Sequence, residues 1–225
     1  MGYPIHTRLE YHERASRLTT FFRIFMVIPH LFVLIFYAIA ATVLSFIAWF
    51  AILFTGRYPE GMFAFQTGYL RYATRVRCYA SLLTDQFPPF GAGSPDDGYP
   101  IQVTAELPEH LSRLTTFFRY ILQYPAYLVQ LALSFLESLM AIVAWFVILV
   151  TGRVPRSIFE IMELPQRYYV RYTAYAQLLT TDRYPWFQPE DEPDDVPSGT
   201  PRSRSSSTAT RRWCRPSSRP MRRSE

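Results

Sequence analysis

The chain has 225 residues, 49% of them hydrophobic and 17% aromatic, which is too apolar for a disordered protein. Its 23 basic residues are all arginine, and the net charge of +5 is concentrated in the tail, since residues 1–187 hold 15 Arg against 12 acids. A nearly neutral body excludes an extended basic surface for nucleic acid. Two distant cysteines, Cys78 and Cys214, exclude a disulfide framework or a cysteine-rich metal site.

The N-terminal stretch MGYPIHTRLEYHER is charged, so it does not read as a secretory leader. Within it YPIHTRLEY alternates like a strand, as does YPIQVTAEL further on, and the pattern predicts that the two pair. SRLTTFFR follows at 16–23 and recurs at 112–119. Ser16 is placed to cap a helix. Leu18, Phe21, Phe22 and Phe25 make an apolar stripe, with Arg17, Thr20 and Arg23 opposite. That pattern suits a helix entering a bilayer, with phenylalanine buried and arginine reaching lipid phosphate.

Residues 24–54 form a run of 31 without a formal charge, and 120–150 form a second of equal length whose single charge is Glu137. Runs of 18 or more apolar residues read as membrane segments. A helix of 31 residues is about 46 Å long, more than the ~30 Å hydrocarbon core. Arginines flank both ends of each run, Arg17, Arg23 and Arg57 in one, Arg113, Arg119 and Arg153 in the other. The positive-inside tendency therefore favours a helical hairpin with both ends on the cytoplasmic side, and one long tilted helix per run is the alternative. In the hairpin, SFLES puts Glu137 at the far turn. In the single helix, Glu137 is an ionisable group at membrane depth and a functional candidate. His30 has Ala126 as its counterpart, so the two runs share no histidine ligand.

TGRYP and TGRVP close the runs: Gly56 and Gly152 fit helix C-caps, and Pro59 and Pro155 fit the next helix starts. Two amphipathic helices follow, at 60–83 and 157–179. In the first, Met62, Phe65, Tyr69, Tyr72, Val76, Tyr79 and Leu83 share one stripe. Thr67, Arg71, Arg75 and Cys78 lie opposite. The second carries Glu163, Arg167 and Arg171 on its polar side, with Pro165 near a helix start. Both read as amphipathic helices lying on the membrane surface or packed on the hairpin, with anionic lipid as the partner for their arginines.

These landmarks recur at an offset of 96, and the unit is therefore present twice, at 1–90 and 99–187, joined by a turn-rich linker at 91–98. Towards the end of each unit the offset becomes 97, and the extra residue is expected in the turn TDQFP/TTDRYP. Residues 188–225 lack apolar periodicity and read as a disordered acidic-then-basic tail. The predicted fold class is an all-α membrane protein of two tandem repeats, each a long membrane helix or hairpin plus an amphipathic interfacial helix.

The series RLTTFFR, IPH, IAWFAILFTGRYPEGMFAF and LRYATRVRCYASLLTDQFPPF resembles a bacterial, largely actinobacterial, membrane-protein family known as domain of unknown function 4389, often found as tandem copies. The resemblance covers both units and departs in the second at TGRVP and at YPA in place of IPH. It implies a multi-pass protein of the cell (inner) membrane and supplies no reaction.

Four scattered histidines, His6, His12, His30 and His110, and no paired carboxylates give no catalytic constellation. The expectation is a protein with no enzyme activity, cofactor or metal. It would be a scaffold or partner subunit meeting anionic lipid and a membrane-protein partner or a second copy of itself. The lipid-facing candidates are Arg17, Arg23, Arg57, Arg71, Arg75, Arg113, Arg119, Arg153, Arg167 and Arg171. The alternative is an oligomeric transport or channel component with Glu137 in the membrane.

Overall fold

Each apolar run is one unbroken helix in the computed structural model, which describes residues 4–91, 93, 98–108 and 110–185. In chain order the elements are β1 (Ile5–Leu9), α1 (Arg17–Thr55), α2 (Glu60–Ala80), β2 (Ile101–Ala105), α3 (Arg113–Thr151) and α4 (Arg156–Tyr172), which ends in a π-helical turn, Thr173–Gln177. Most of the expected linker (92 and 94–97) and all of the expected tail at 188–225 lie outside the described residues.

α1 and α3 have 39 residues each. Ser16 and Ser112 cap them, each hydroxyl accepting the backbone N–H three residues on at 3.4 Å, which satisfies one orphan donor of the first turn. Gly56 and Gly152 end them in the left-handed region, φ 73° and 71°, where a residue without Cβ is unstrained. The hairpin does not form. Neither YAIAAT nor SFLES contains a residue that breaks the backbone hydrogen-bond ladder, and the helix absorbs Pro29 and Pro125 near its N-terminal third. Glu137 accordingly sits on an uninterrupted helix and not at a turn.

The two repeats interlock into one compact unit. β1 and β2 pair antiparallel with Thr7 opposite Val103. These two residues are equivalents in the repeat (103 − 7 = 96), so a pseudo-twofold axis passes between them, as in a symmetric dimer interface. α1 and α3 run antiparallel: the Arg17 guanidinium donates to the Val150 carbonyl at 2.8 Å, and the Trp49 indole to the Thr116 carbonyl at 3.0 Å. The segment entering each long helix closes the end of the other. Ala15 N–H donates to the Gly152 carbonyl at 3.2 Å, and Leu111 N–H to the Gly56 carbonyl at 3.0 Å.

Three layers result. α1 and α3 form the first, α2 and α4 the second, and the sheet lies on α2 and α4 as the third. Of the two placements expected for α2, on the membrane surface or packed on the apolar segment, the structure has the second. From Gln66 to Tyr79 every residue except Tyr69 and Arg77 is buried, including Thr67, Arg71, Arg75 and Cys78 of the expected polar face. The sheet and the second repeat cover the face that one repeat alone would expose. Pro165 lies inside α4, well past its start at Arg156.

The extra residue of the second copy is not in the turn. Ser81 N–H donates to the Arg77 carbonyl, four residues back, whereas its counterpart Leu178 donates to Thr173, five back. The insertion is thus absorbed as a π-helical turn. Beyond it, Leu82 and Leu179 take matching positive φ, 66° and 58°, at an offset of 97.

α1 and α3 are long and apolar enough to cross a membrane, yet the most apolar 18-residue window of each is only 17% buried. Only a narrow stripe faces inward, Thr20, Arg23, His30, Ala41, Ser45, Ala48 and Ile52 on α1. The molecule thus packs polar side chains inside and shows phenylalanine, leucine and isoleucine outside.

Candidate functional site

Two copies of one clamp explain why SRLTTFFR repeats. Arg23 is buried on α1 and donates to the carbonyls of Tyr79 at 2.6 Å and Thr84 at 3.1 Å, while pairing with the Asp85 carboxylate. Its guanidinium lies 4.5 Å over the Tyr79 ring. The second Asp85 oxygen accepts the Ser16 N–H at the start of α1, where the helix dipole favours an anion. Arg119 repeats this with the Tyr175 carbonyl at 3.1 Å and with Asp182, which also takes the Ser112 N–H. Thr20 and Thr116 are fully buried beside the clamps. Arg23 and Arg119 therefore tie the long helices to the ends of α2 and α4 and do not reach lipid phosphate.

Glu137 anchors a second cluster that only one repeat possesses. The side chain is 4% exposed. One carboxylate oxygen accepts from the Arg77 guanidinium, and the other from the Ser81 hydroxyl and from the Gln166 amide at 2.5 Å. Arg77 also donates to the Ser134 hydroxyl at 3.1 Å and lies 4.3 Å over the Tyr169 ring. Residues of α2, α3 and α4 thus converge on one carboxylate. Three donors meet the hydrogen-bonding demand of a buried carboxylate. Next to it, burial first and Glu137 second push the Cys78 thiol well above its ordinary range. Burial likewise pushes up the Tyr169 phenol.

The other arginines divide by exposure. Arg71 donates to the Val103 and Gly93 carbonyls at 3.3 and 3.0 Å, and Arg75 to the Ile101 carbonyl at 3.3 Å. Both are buried beneath the sheet, and Arg171 is buried as well. Arg167 is half-buried against Glu163 at 2.8 Å. These four belong to the protein interior or to intrahelical pairs, because the sheet carbonyls outbid water as partners for a covered guanidinium. Arg17, Arg57, Arg113 and Arg153 stay exposed, one at each terminus of the long helices, with Arg153 3.3 Å from Glu13.

Asp85, Asp182, Arg77, Ser81 and Gln166 were not singled out from sequence. Asp85 and Asp182 had a signal, an acid after the repeated Leu-Leu-Thr just as Arg23 and Arg119 repeat. The Glu137 partners had none, because their repeat equivalents are of other types. Among the described residues no three His, Cys, Asp or Glu side chains come together as a metal site would need.

A family model, domain of unknown function DUF4389, matches residues 17–92 and again 113–188. The two stretches cover more than half of the chain. The chain belongs to this family. Each DUF4389 match begins at the first residue of a long helix, Arg17 or Arg113, and carries the clamp arginine and its aspartate. β1 and β2 lie outside both matches. The family description carries no activity, and neither curated proteins nor solved structures match the chain.

Proposed function

We propose that this tandem DUF4389 protein is an integral protein of the cell membrane, held in lipid by α1 and α3, and that its role is that of a non-catalytic scaffold or partner subunit. The observation that carries the membrane reading is the 17% burial of each most apolar window. The core helix of a water-soluble protein keeps its apolar side chains inside. Here Leu18, Phe25, Phe36, Phe54, Leu114, Phe135 and Val150 are all more than 60% exposed. Exposed apolar area of this extent marks a surface that meets lipid or a partner.

The non-catalytic reading is supported by how the reactive groups are held. Both Glu137 oxygens are engaged by donors, Cys78 is buried with a raised thiol pKa, and the His30 ring is stacked on Phe90 with Nδ1 2.8 Å from the Tyr72 hydroxyl. The exposed Arg17, Arg57, Arg113 and Arg153 are the groups offered to anionic headgroups. The outer face of the sheet and its flanking segments, with Arg8, Glu10 and Thr104 exposed, form the surface offered to a protein partner or a second copy. Carbonate extraction tests the core of this reading: the protein stays with the membrane pellet, and recovery in the soluble fraction ends it.

A further inference from the structure

The direction in which this body meets the bilayer follows from three features. The first is length. Thirty-nine residues at ~1.5 Å rise span about 58 Å, against a hydrocarbon core of ~30 Å. Tilting to about 40°, the upper end of what membrane helices adopt, lengthens the path to only about 39 Å. Yet exposed apolar side chains continue from Leu18 to Phe54 and from Leu114 to Val150. Among the described residues, the exposed hydrogen-bonding side chains within these two spans are Thr42, Ser138 and the phenols of Tyr120, Tyr124 and Tyr127. Thr42 and Ser138 each donate to a carbonyl of their own helix at 2.8 Å, and no charged side chain is exposed there. A crossing helix would leave roughly 15 Å of this surface outside the hydrocarbon core.

The second feature is the path of the chain between the repeats. Asp85 touches Ser16 at the start of α1, and Leu111 touches Gly56 at its end, 3.0 Å away. Between Asp85 and Leu111 the chain therefore passes from one end of α1 to the other, and its described residues there include β2 and the exposed Glu106 and His110. If α1 crossed the membrane, this extended and charged segment would cross with it. Lipid-exposed extended backbone does not occur in hydrocarbon, because its N–H and C=O groups find no partners there.

The third is symmetry. The axis between Thr7 and Val103 runs through the three layers, so it turns α1 onto α3 within one face and leaves the sheet on the other. The apolar layer lies wholly on one side and the sheet, with exposed Arg8, Glu10 and Thr104, wholly on the opposite side.

We infer that α1 and α3 lie side-on in a single leaflet, with the pseudo-twofold axis along the membrane normal and the sheet and all four long-helix termini on one aqueous side. This rests on the membrane reading above and adds the orientation. One helix layer, ~10 Å across, fits within one leaflet of about 15 Å, half the hydrocarbon thickness. Arg17, Arg57, Arg113 and Arg153 then ring the apolar face at the level of the phosphates. Both repeats satisfy the positive-inside tendency at once, which the single-crossing topology cannot do and the hairpin does only by breaking the helix.

The test uses the full chain with Cys214→Ser, leaving the buried Cys78 in place. Single cysteines at Arg14 and Arg57, near opposite ends of α1, are exposed to a membrane-impermeant maleimide in spheroplasts and in inverted vesicles. Both label from the same side. Spin labels at Leu18, Phe36 and Phe54 in the reconstituted protein then report equal immersion depths within a few ångströms. Labelling of Arg14→Cys and Arg57→Cys from opposite sides overturns the orientation, as does a depth profile deepest at Phe36 with shallow ends. Release of the same variants by carbonate overturns the membrane reading itself and is separately visible.

Discussion

Ala41 and Glu137 occupy the same position in the two repeats (137 − 41 = 96), and their surroundings have diverged together. Around Ala41 stand Leu70, Val170, Ala174 and Leu178 in one apolar cluster, and the buried Gln66 amide donates to the Ala41 carbonyl at 2.7 Å and to the Ser45 hydroxyl at 2.9 Å. Around Glu137 stand Arg77, Ser81 and Gln166, whose repeat equivalents are Thr173, Leu178 and Leu70. One site is filled with hydrocarbon and neutral polar groups, the other with a bonded ion pair. The difference teaches that the backbone needs neither solution in particular. A buried charge network is tolerated only when every member is present, and its parts must therefore change in concert. The clamps show the opposite behaviour: Arg23 with Asp85 and Arg119 with Asp182 are the same in both copies, because both sit at the capped start of a long helix.

Breaking the asymmetric cluster gives the largest expected effect. Glu137→Ala leaves the Arg77 guanidinium without its carboxylate, and removing one partner of a buried pair costs about 3–5 kcal/mol. The measurement is the thermal midpoint in mild detergent. A midpoint near wild type would mean that the pair is not closed in solution. Breaking a clamp comes next. Asp85→Asn and Asp182→Asn each weaken charge-assisted bonds worth about 1.5–3 kcal/mol, less than Glu137→Ala because asparagine keeps the size of the side chain and an acceptor oxygen for the arginine. The two variants should match each other closely, and a large disparity would show that the clamps are not equivalent.

Converting one region into the other sharpens the comparison. Glu137→Ala combined with Arg77→Thr and Gln166→Leu installs the residue types that the Ala41 site already carries at Ala41, Thr173 and Leu70. Because replacing a buried ion pair by packed apolar groups is often neutral or stabilising, most of the loss from Glu137→Ala should return. Failure to recover more than half of it would show that the cavity cannot close in the second repeat. The smallest expected effect is chemical. With Cys214→Ser, Cys78 should stay unmodified by maleimide at pH 8 in the folded protein and react fully after denaturation. The thiolate is the nucleophile, and burial with Glu137 nearby raises the pKa, so its fraction stays negligible until pH rises far above the ordinary thiol range. Prompt labelling at pH 8 would mean that the α2 interior opens.

The repeat, its helix caps and the apolar length of α1 and α3 were legible in the sequence because each is written locally. Ser16 needs only the N–H three residues on, Gly56 only a left-handed φ, and 31 uncharged residues only one another. The strands were legible from alternation in YPIHTRLEY and YPIQVTAEL, and their pairing joined residues almost a hundred positions apart. What failed was the assignment of polar groups to an outside. Arg23, Arg71, Arg75 and Glu137 were read against water and headgroups, since one repeat by itself offers them no other partner. The second repeat supplies those partners: the sheet carbonyls of Ile101 and Val103 for Arg75 and Arg71, and α2 and α4 for Glu137. The tertiary structure also decided that 39 residues remain one helix, because packing of α2 against its inner stripe rewards continuity where charge counting favoured a bend. The sequence by itself thus determined which segments are helical, which are apolar and that the unit occurs twice. Only the folded pair of repeats decided which polar side chains are interior, since burial of a charge depends on partners that local sequence does not contain.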